Sequence, residues 1–359
     1  VGEVAAALLD GLRNHADVTP VAYAITWRGR RALAVEVDGV RTAGRPLPAG
    51  LAHALWRWGS PEPRAERWTG RVDVVHALNY VAPPARAPVV VMVHDLSFLR
   101  FPELCTPTTL RYGPLLRRAI ARGATVHTPS RFVAAEVEAE LGLAPERVVA
   151  IPSGIPPVGI GDPARGAALA GGPRYLLAIG TIEPRKNLPA LVRAFAAVAA
   201  TDPEVRLVVA GPDGWDRPRF DAAVAASPAR DRITRLPYVR DDARRDLLTG
   251  ATAFVYPSRY EGFGFPPLEA MRAGIPVVAS DAGSLPEVLG DAALLVDPDD
   301  EDALAAAIVR ALGDDELRAT LIDRGAEQAA RYSWTTTTER VVELYRSLAG
   351  VTTRSSGRG

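Results

Sequence analysis

Two glutamates, Glu261 and Glu269, flank the run Gly262-Phe263-Gly264-Phe265-Pro266-Pro267-Leu268. Ahead of it, Ala253-Phe254-Val255-Tyr256-Pro257-Ser258 reads as a buried strand ending at Pro257, and behind it Leu268 to Ala273 reads as a helix. The acidic pair therefore brackets a strand-to-helix turn. Gly262 and Gly264 let the backbone come close to a ligand, and Pro266 suits the first turn of a helix, where its missing N–H costs nothing. Free amides at a helix N-terminus attract anions, phosphate above all. A carboxylate there would repel a bare phosphate, but it would accept hydrogen bonds from hydroxyls flanking one. Phosphate between two sets of hydroxyls describes a sugar nucleotide.

Arg185 and Lys186 follow the apolar run Tyr175-Leu176-Leu177-Ala178-Ile179 and precede a helix opening at Asn187. Two cations beside free amides at a strand's carboxyl end can hold one diphosphate, although a lone Arg-Lys pair by itself reads as surface decoration. His94 and Asp95 end the apolar run Val89 to Val93, a position from which a histidine can hydrogen-bond a sugar hydroxyl or cap a turn. His76 and Asn79, in Val75-His76-Ala77-Leu78-Asn79-Tyr80, are weaker candidates for an acceptor side. His15, His53 and His127 have no supporting context and read as structural or solvated.

The elements that must position these residues alternate. Strands are expected at Val72–Val75, Val89–Val93, Thr125–His127 and Arg147–Ile151, with helices over Leu110–Ala121 and Arg131–Leu141. A Gly- and Ala-rich stretch reaching Pro173 reads as a linker. The alternation restarts with strands at 175–179, 205–210, 233–236, 277–279 and 293–296 and helices over Asn187–Ala200, Asp242–Ala251 and from near Glu301, Glu316 and Trp334. Such alternation means α/β architecture: two Rossmann-like, doubly wound parallel-sheet domains facing a cleft, with ligands at the carboxyl ends of the strands. The expected division is 1–155, a linker at 156–172, a second domain at 173–334, a helix at 335–349 returning to the first domain, and a disordered tail at 350–359.

The run from Tyr256 to Met271, with Gly274-Ile275-Pro276-Val277-Val278-Ala279-Ser280, Gly283-Ser284-Leu285-Pro286-Glu287-Val288 and Gly180-Thr181-Ile182-Glu183-Pro184-Arg185-Lys186-Asn187-Leu188, resembles the retaining glycosyltransferases of the GT4 family, which have the GT-B fold. The resemblance implies transfer of a hexose from a nucleotide-diphosphate sugar to a hydroxyl of a glycan, glycolipid or small molecule. It gives His94, Glu261, Arg185 and Lys186 the catalytic roles, with the two cations on the donor diphosphate and no metal or other cofactor required. It assigns Glu261 to hydroxyls of the donor sugar, the amides of Phe263, Gly264 and Phe265 to sugar and phosphates, and Glu269 to the ribose. Gly180, Val239 and Leu268 complete the donor side, and Gly2, His76, Asn79 and Asp95 are placed on the acceptor side. The His-Asp segment with Phe98-Leu99-Arg100-Phe101-Pro102-Glu103 looks like members that use GDP-mannose. GT4 members usually open with an apolar strand and a Gly-x-Gly turn, so Val1-Gly2 resembles the end of that turn and the first strand of the domain is expected to be missing. A sugar-nucleotide epimerase or an inert donor-binding subunit are the alternatives.

With 42 basic and 42 acidic residues the chain has no global field to attract nucleic acid. Local groups, Arg117-Arg118 with Arg122 and Arg240 with Arg244-Arg245, read as solvated helix faces. The single Cys105 cannot make an internal disulfide, which fits a reducing compartment. No apolar run approaches the ~18 residues that span a bilayer, and the opening residues do not resemble a signal peptide. A cytoplasmic protein is expected, with peripheral contact at the inner face of a membrane as a further expectation. Asp297-Pro298-Asp299 has the D-x-D spacing of metal-dependent transferases, but its place between strand and helix makes it a turn and N-cap. Gly159-Ile160-Gly161 lies in the linker and is no dinucleotide fingerprint.

Overall fold

The computed structural model describes residues 2–26, 39–44, 47–156 and 159–350. The chain divides into two compact units, Val1–Gly154 with Ser333–Gly359, and Ile155–Tyr332.

In the first unit, β1 (Val21–Tyr23) pairs in parallel with β2 (Arg41–Ala43). A separate parallel sheet holds β3 (Val75–Ala77), β4 (Val89–Met92), β5 (Thr125–Thr128) and β6 (Val148–Ala150) in chain order. Val90, Val91 and Val126 are fully buried, as strands covered on both faces require. β3 starts later than the apolar run beginning at Val72 suggests, because Arg71 and Asp73 are exposed and make that stretch a solvated approach to the strand. The helix Trp334–Leu348 packs on Gly2–Arg13, with Val341 and Val342 against Leu8 and Leu12. Burying each such side chain contributes roughly 1.5–3 kcal/mol. The helices cross at Gly11, where a Cβ would lie 2.1 Å from Thr338 Oγ1. The tail expected at 350–359 lies, beyond Gly350, outside the described residues.

In the second unit, β7 (Tyr175–Ile179), β8 (Arg206–Ala210), β9 (Ile233–Leu236), β10 (Ala253–Tyr256), β11 (Val277–Ser280) and β12 (Ala293–Val296) form one parallel sheet of order β12-β11-β10-β7-β8-β9. One face packs under the helices Leu188–Thr201 and Glu301–Gly313, through Leu191, Phe195, Leu304 and Ile308. The other face packs under Asp241–Gly250 and Phe265–Arg272, through Leu247, Leu248, Leu268 and Met271. The stretch read as an irregular linker instead contains the helix Pro163–Ala170, capped by Asp162, whose Oδ1 accepts the Ala164 amide at 2.9 Å. Its small residues serve packing: a Cβ on Gly166 would fall 2.2 Å from the Asp246 carbonyl oxygen of the neighbouring helix.

Candidate active site

The order of the six strands reverses its direction of growth between β7 and β10, which lie side by side. In a doubly wound sheet the crevice that takes ligands opens at that reversal, outside the carboxyl ends of the strands. Arg185 and Lys186 follow β7, and Glu261 follows β10. Residues 75 positions apart are thereby brought to one point.

There the Glu261 carboxylate accepts Lys186 Nζ at 2.6 Å and Arg185 Nη1 at 2.9 Å. Arg185 also pairs with Glu183 at 2.7 Å. Lys186 Nζ reaches the Tyr256 hydroxyl at 2.5 Å and lies 4.7 Å from the centroid of that ring. Burial alone would raise the Glu261 pKa, but the charges of Arg185 and Lys186 outweigh it and hold the carboxyl at about 2. Burial likewise pushes the Tyr256 phenol well above its ordinary value, leaving a neutral acceptor for the ammonium. Two cations and two carboxylates, all largely buried, thus balance one another without ligand. An anionic diphosphate entering here can replace Glu261 as the partner of both cations.

The glycine turn is fixed from behind. Gly264, with φ +114°, occupies the N-cap of the helix Phe265–Arg272, and a Cβ on it would approach Leu285 Cδ2 to 2.8 Å. Gly283, with φ +61°, allows close approach to Glu261, whose backbone oxygen and nitrogen lie 2.7 and 2.8 Å from the place a Cβ would take. Ser284 completes this support: its amide donates to the Glu261 carbonyl at 3.0 Å and its hydroxyl to the Phe263 carbonyl at 2.9 Å. Because Pro266 and Pro267 carry no N–H, the amides of Gly264 and Phe265 are what the helix start can offer an anion. The phenyl rings of Phe263 and Phe265 meet edge to face at 4.9 Å. Leu268 is fully buried in the core, so it can serve a donor only through its backbone. Val239 packs against the same core, just beyond the end of β9. Gly180 caps β7, its amide donating to the Ala210 carbonyl at 2.9 Å.

Glu269 is buried at 3% exposure and is held by Arg244, whose Nη1 lies 3.2 Å from Oε1 and whose Nη2 bonds Oε2. Arg244 was read as part of a solvated helix face. The structure corrects this, because the side chain leaves the helix Asp241–Gly250 for a buried carboxylate, whereas Arg240 does pair with exposed Asp242. Asp297 and Asp299 do not converge on a common point. The Asp297 carboxylate accepts the Asp299 amide, Asp299 pairs with Arg259 at 2.7 Å, and the helix N-cap is Asp300.

In the first unit, His94 Nε2 donates to the Leu78 carbonyl at 2.9 Å and burial lowers its pKa, so the ring is neutral with Nδ1 as its acceptor nitrogen. Asp95 is a turn residue: its Oδ1 accepts both the amide and the hydroxyl of Ser97, opening the short helix Ser97–Arg100. His76 Nδ1 bonds the Tyr345 hydroxyl at 2.8 Å, its Nε2 faces His127 Nδ1 at 3.3 Å, and His127 Nε2 donates to the Ile151 carbonyl at 3.1 Å. Both histidines are thus committed to a network that anchors the helix Trp334–Leu348. Asn79 Oδ1 is buried with no hydrogen-bond partner among the described residues. Gly2 begins the helix Gly2–Arg13, is exposed, and has nothing within 4 Å of a Cβ position.

Sequence reasoning missed Glu183, Tyr256 and Arg244. Glu183 stood inside the quoted segment, but an acid beside two bases reads as a surface ion pair. Pairing of Arg244 with Glu269 has no local signature.

Both units of the chain have counterparts among known proteins. Residues 1–158 match the family described as Glycosyltransferase Family 4, and residues 164–328 match Glycosyl transferases group 1. The chain belongs to this family of glycosyltransferases, and it is an enzyme of that class. O-antigen chain mannosyltransferase B of Escherichia coli is 34% identical over 297 residues, 80% of this chain and 78% of that protein. Phosphatidyl-myo-inositol mannosyltransferase of Mycolicibacterium smegmatis is 30% identical over 333 residues, 87% of this chain and 82% of the relative. Among solved structures, Anabaena Alr3699/HepE in complex with UDP and glucose superposes with a TM-score of 0.72 at 18% identity, covering 96% of each chain. WaaG, a glycosyltransferase involved in lipopolysaccharide biosynthesis, also gives 0.72, at 17% identity over 96% of this chain and 95% of the other. The fold is GT-B.

Proposed function

We propose that this glycosyltransferase moves mannose from GDP-mannose to a hydroxyl of a glycan or lipid-linked acceptor, with retention of configuration and without a metal ion. The observation that carries the reading is the convergence of Arg185, Lys186 and Glu261 at the sheet's reversal point, beside the supported glycine turn. As the bond from the anomeric carbon to the phosphate oxygen breaks, its electron pair goes to the phosphate. Cations already in place act mainly on that developing charge. The acceptor oxygen bonds the same carbon on the face the phosphate leaves, and its proton goes to the departing phosphate oxygen. With Glu261 and Glu269 both assigned to donor hydroxyls, neither carboxylate is left to act as a nucleophile, which favours this route over a covalent glycosyl-enzyme. Glu261 and the amides near Gly264 are assigned to sugar and phosphates and Glu269 to the ribose, while the acceptor nitrogen of His94 can take a hydrogen bond from a sugar hydroxyl. Mannose as donor sugar is supported by the names of the relatives, and a lipid-linked acceptor by the phosphatidyl-inositol and lipopolysaccharide proteins. Such an acceptor places the work at the inner face of a membrane, reached by peripheral contact.

Thermal shift with a panel of nucleotide sugars tests the donor, because a bound donor raises apparent stability. GDP-mannose is expected to give the largest shift; a larger one from UDP-glucose rejects the donor assignment. With a transferable acceptor, the product's anomeric configuration is read by NMR, and an inverted product rejects the mechanism. EDTA is expected to leave the rate within about twofold, and loss of activity restored by Mn2+ or Mg2+ would defeat the metal-free reading.

A further inference from the structure

The helix Ala49–Arg57 presents two adjoining rows of side chains to different surroundings. Ala52 and Trp56 are fully buried, packed with Leu115 and the partly buried Ile25, Leu47, Trp68 and Val81. The next row, Leu51, Leu55 and Trp58, follows the i, i+4, i+7 spacing of one helix face and is 51, 39 and 86% exposed. Scattered exposed apolar residues need no explanation, but three in one row, ending in a nearly uncovered tryptophan, mark a surface that something covers.

The chemistry around the row limits what that is. Exposed Arg57 ends the helix beside Trp58 in the chain, and Arg118 donates through Nε to the Arg57 carbonyl at 3.2 Å, which brings a second guanidinium to the helix end that carries Trp58. Arg117 and Arg122 are exposed on and beyond the helix Tyr112–Ala121 that carries Arg118. No acidic residue occurs between Ala49 and Pro61. The next acids along the chain are engaged elsewhere: Glu62 accepts the Arg64 amide at 3.1 Å, and Glu66 accepts the amides of Arg86 and Ala87 at 2.6 and 3.1 Å. A second copy of the chain would bring like charges together across a two-fold contact, which costs energy rather than gaining it. Nucleic acid would use the arginines and leave the leucines unexplained. An anionic bilayer uses both: leucine and indole enter at headgroup depth, and arginine meets lipid phosphate. No helix among the described residues is long and apolar enough to cross a membrane, so what these residues offer is docking on its surface.

We propose that the face formed by Leu51, Leu55 and Trp58 with Arg57 and Arg118 docks this protein on an anionic membrane surface. The proposal rests on the peripheral-membrane reading above and adds to it the place of contact and the charge of the lipid. The test is sedimentation with phosphatidylcholine vesicles, with and without phosphatidylglycerol, at low and high salt. The unaltered protein is expected to sediment with the anionic vesicles, poorly with the neutral ones, and less as salt rises. The triple variant Leu51→Ser/Leu55→Ser/Trp58→Ser, and separately Arg57→Glu/Arg118→Glu, should each weaken that partitioning at least about tenfold with an unchanged circular dichroism spectrum. Trp58→Ser alone, at the most exposed of these sites, provides a variant whose fold is under least strain and should weaken it severalfold. Undiminished binding by Trp58→Ser and the triple variant would overturn the assigned face while leaving the membrane reading in place. Failure of the unaltered protein to bind either vesicle would sink the membrane reading with it. A dimer in solution that the triple variant abolishes would give the face to a second copy and likewise overturn the proposal.

Discussion

Both units bury polar clusters of similar size, and the two are built on opposite principles. In the first unit Tyr345, His76, His127 and the Ile151 carbonyl form a one-way chain of neutral donors and acceptors. Hydroxyl donates to Nδ1, Nε2 donates to Nδ1, and Nε2 donates to the carbonyl, so each ring needs only the proton that neutrality gives it. Such a cluster is complete. In the second unit Arg185, Lys186, Glu183 and Glu261 form a cluster of full charges whose partners can be exchanged. A neutral chain fastens one element to another, whereas a balanced charge cluster keeps its cations charged and able to take another anion in place of a carboxylate.

The sharpest way to break the comparison is Glu261→Gln. With the carboxylate gone, Lys186 and Arg185 keep their burial but lose their shared counter-charge, and stability to urea is expected to fall by about 3 kcal/mol or more. Added GDP or pyrophosphate should restore more stability to this variant than to the unaltered protein. Equal restoration in both would mean that the cations do not meet the anion. Next, Arg185→Ala and Lys186→Ala should each lower transfer at least about a hundredfold while the melting temperature moves only a few degrees. Near-normal turnover in either one removes that residue from the mechanism.

Acid separates the clusters by their direction of titration. His127 is held neutral, its pKa lowered by burial from 6.5 to about 4. The unfolded chain therefore takes the proton first, and its contribution, on the order of 3 kcal/mol, is full above about pH 6.5 and lost as pH falls towards 4. Glu261, lowered from 4.5 to about 2, contributes fully above 4.5 and loses that contribution as pH falls towards 2. Amide exchange followed during acidification should show the first unit opening before the second, and the reverse order would contradict the neutral-chain account. The smallest effect is expected from Tyr345→Phe, which removes the first donor of the chain. It should cost about 1 kcal/mol of stability, read by chemical denaturation, and leave the transfer rate within twofold.

What the sequence made legible follows from how local each signal is. β7, β8, β10 and β11 are runs of apolar residues buried on both faces, so composition over a few residues sufficed to place them. The short strands β1 and β2, with exposed or half-buried residues such as Arg41 and Thr42, carried no such mark and were not anticipated. At the site, the residue types around Glu261 and Lys186 could be read from their segments, but their contact depends on two strands far apart in sequence lying side by side. The same limit hid Arg244 on Glu269 and Tyr345 on His76, each a pairing across elements that share no motif. His127, for which the sequence leaves a structural and a solvated reading open, is buried inside the neutral chain. His76 was given to the acceptor side, because nothing in its own neighbourhood reveals that a residue 269 positions later occupies its ring nitrogen.

The return of residues 333–348 to the first unit also sets an order of assembly. The second unit is one unbroken segment, Ile155–Tyr332, whereas the first needs Leu8, Leu12 and Ile151 to meet Val341 and Val342. As the polypeptide leaves the ribosome, the second unit has all its strands while the apolar face of the helix Gly2–Arg13 still lacks its cover. The segment made earlier is thus sealed later, and a nascent chain halted before Trp334 would hold a finished second unit and a first unit whose apolar helix face chaperones can recognise.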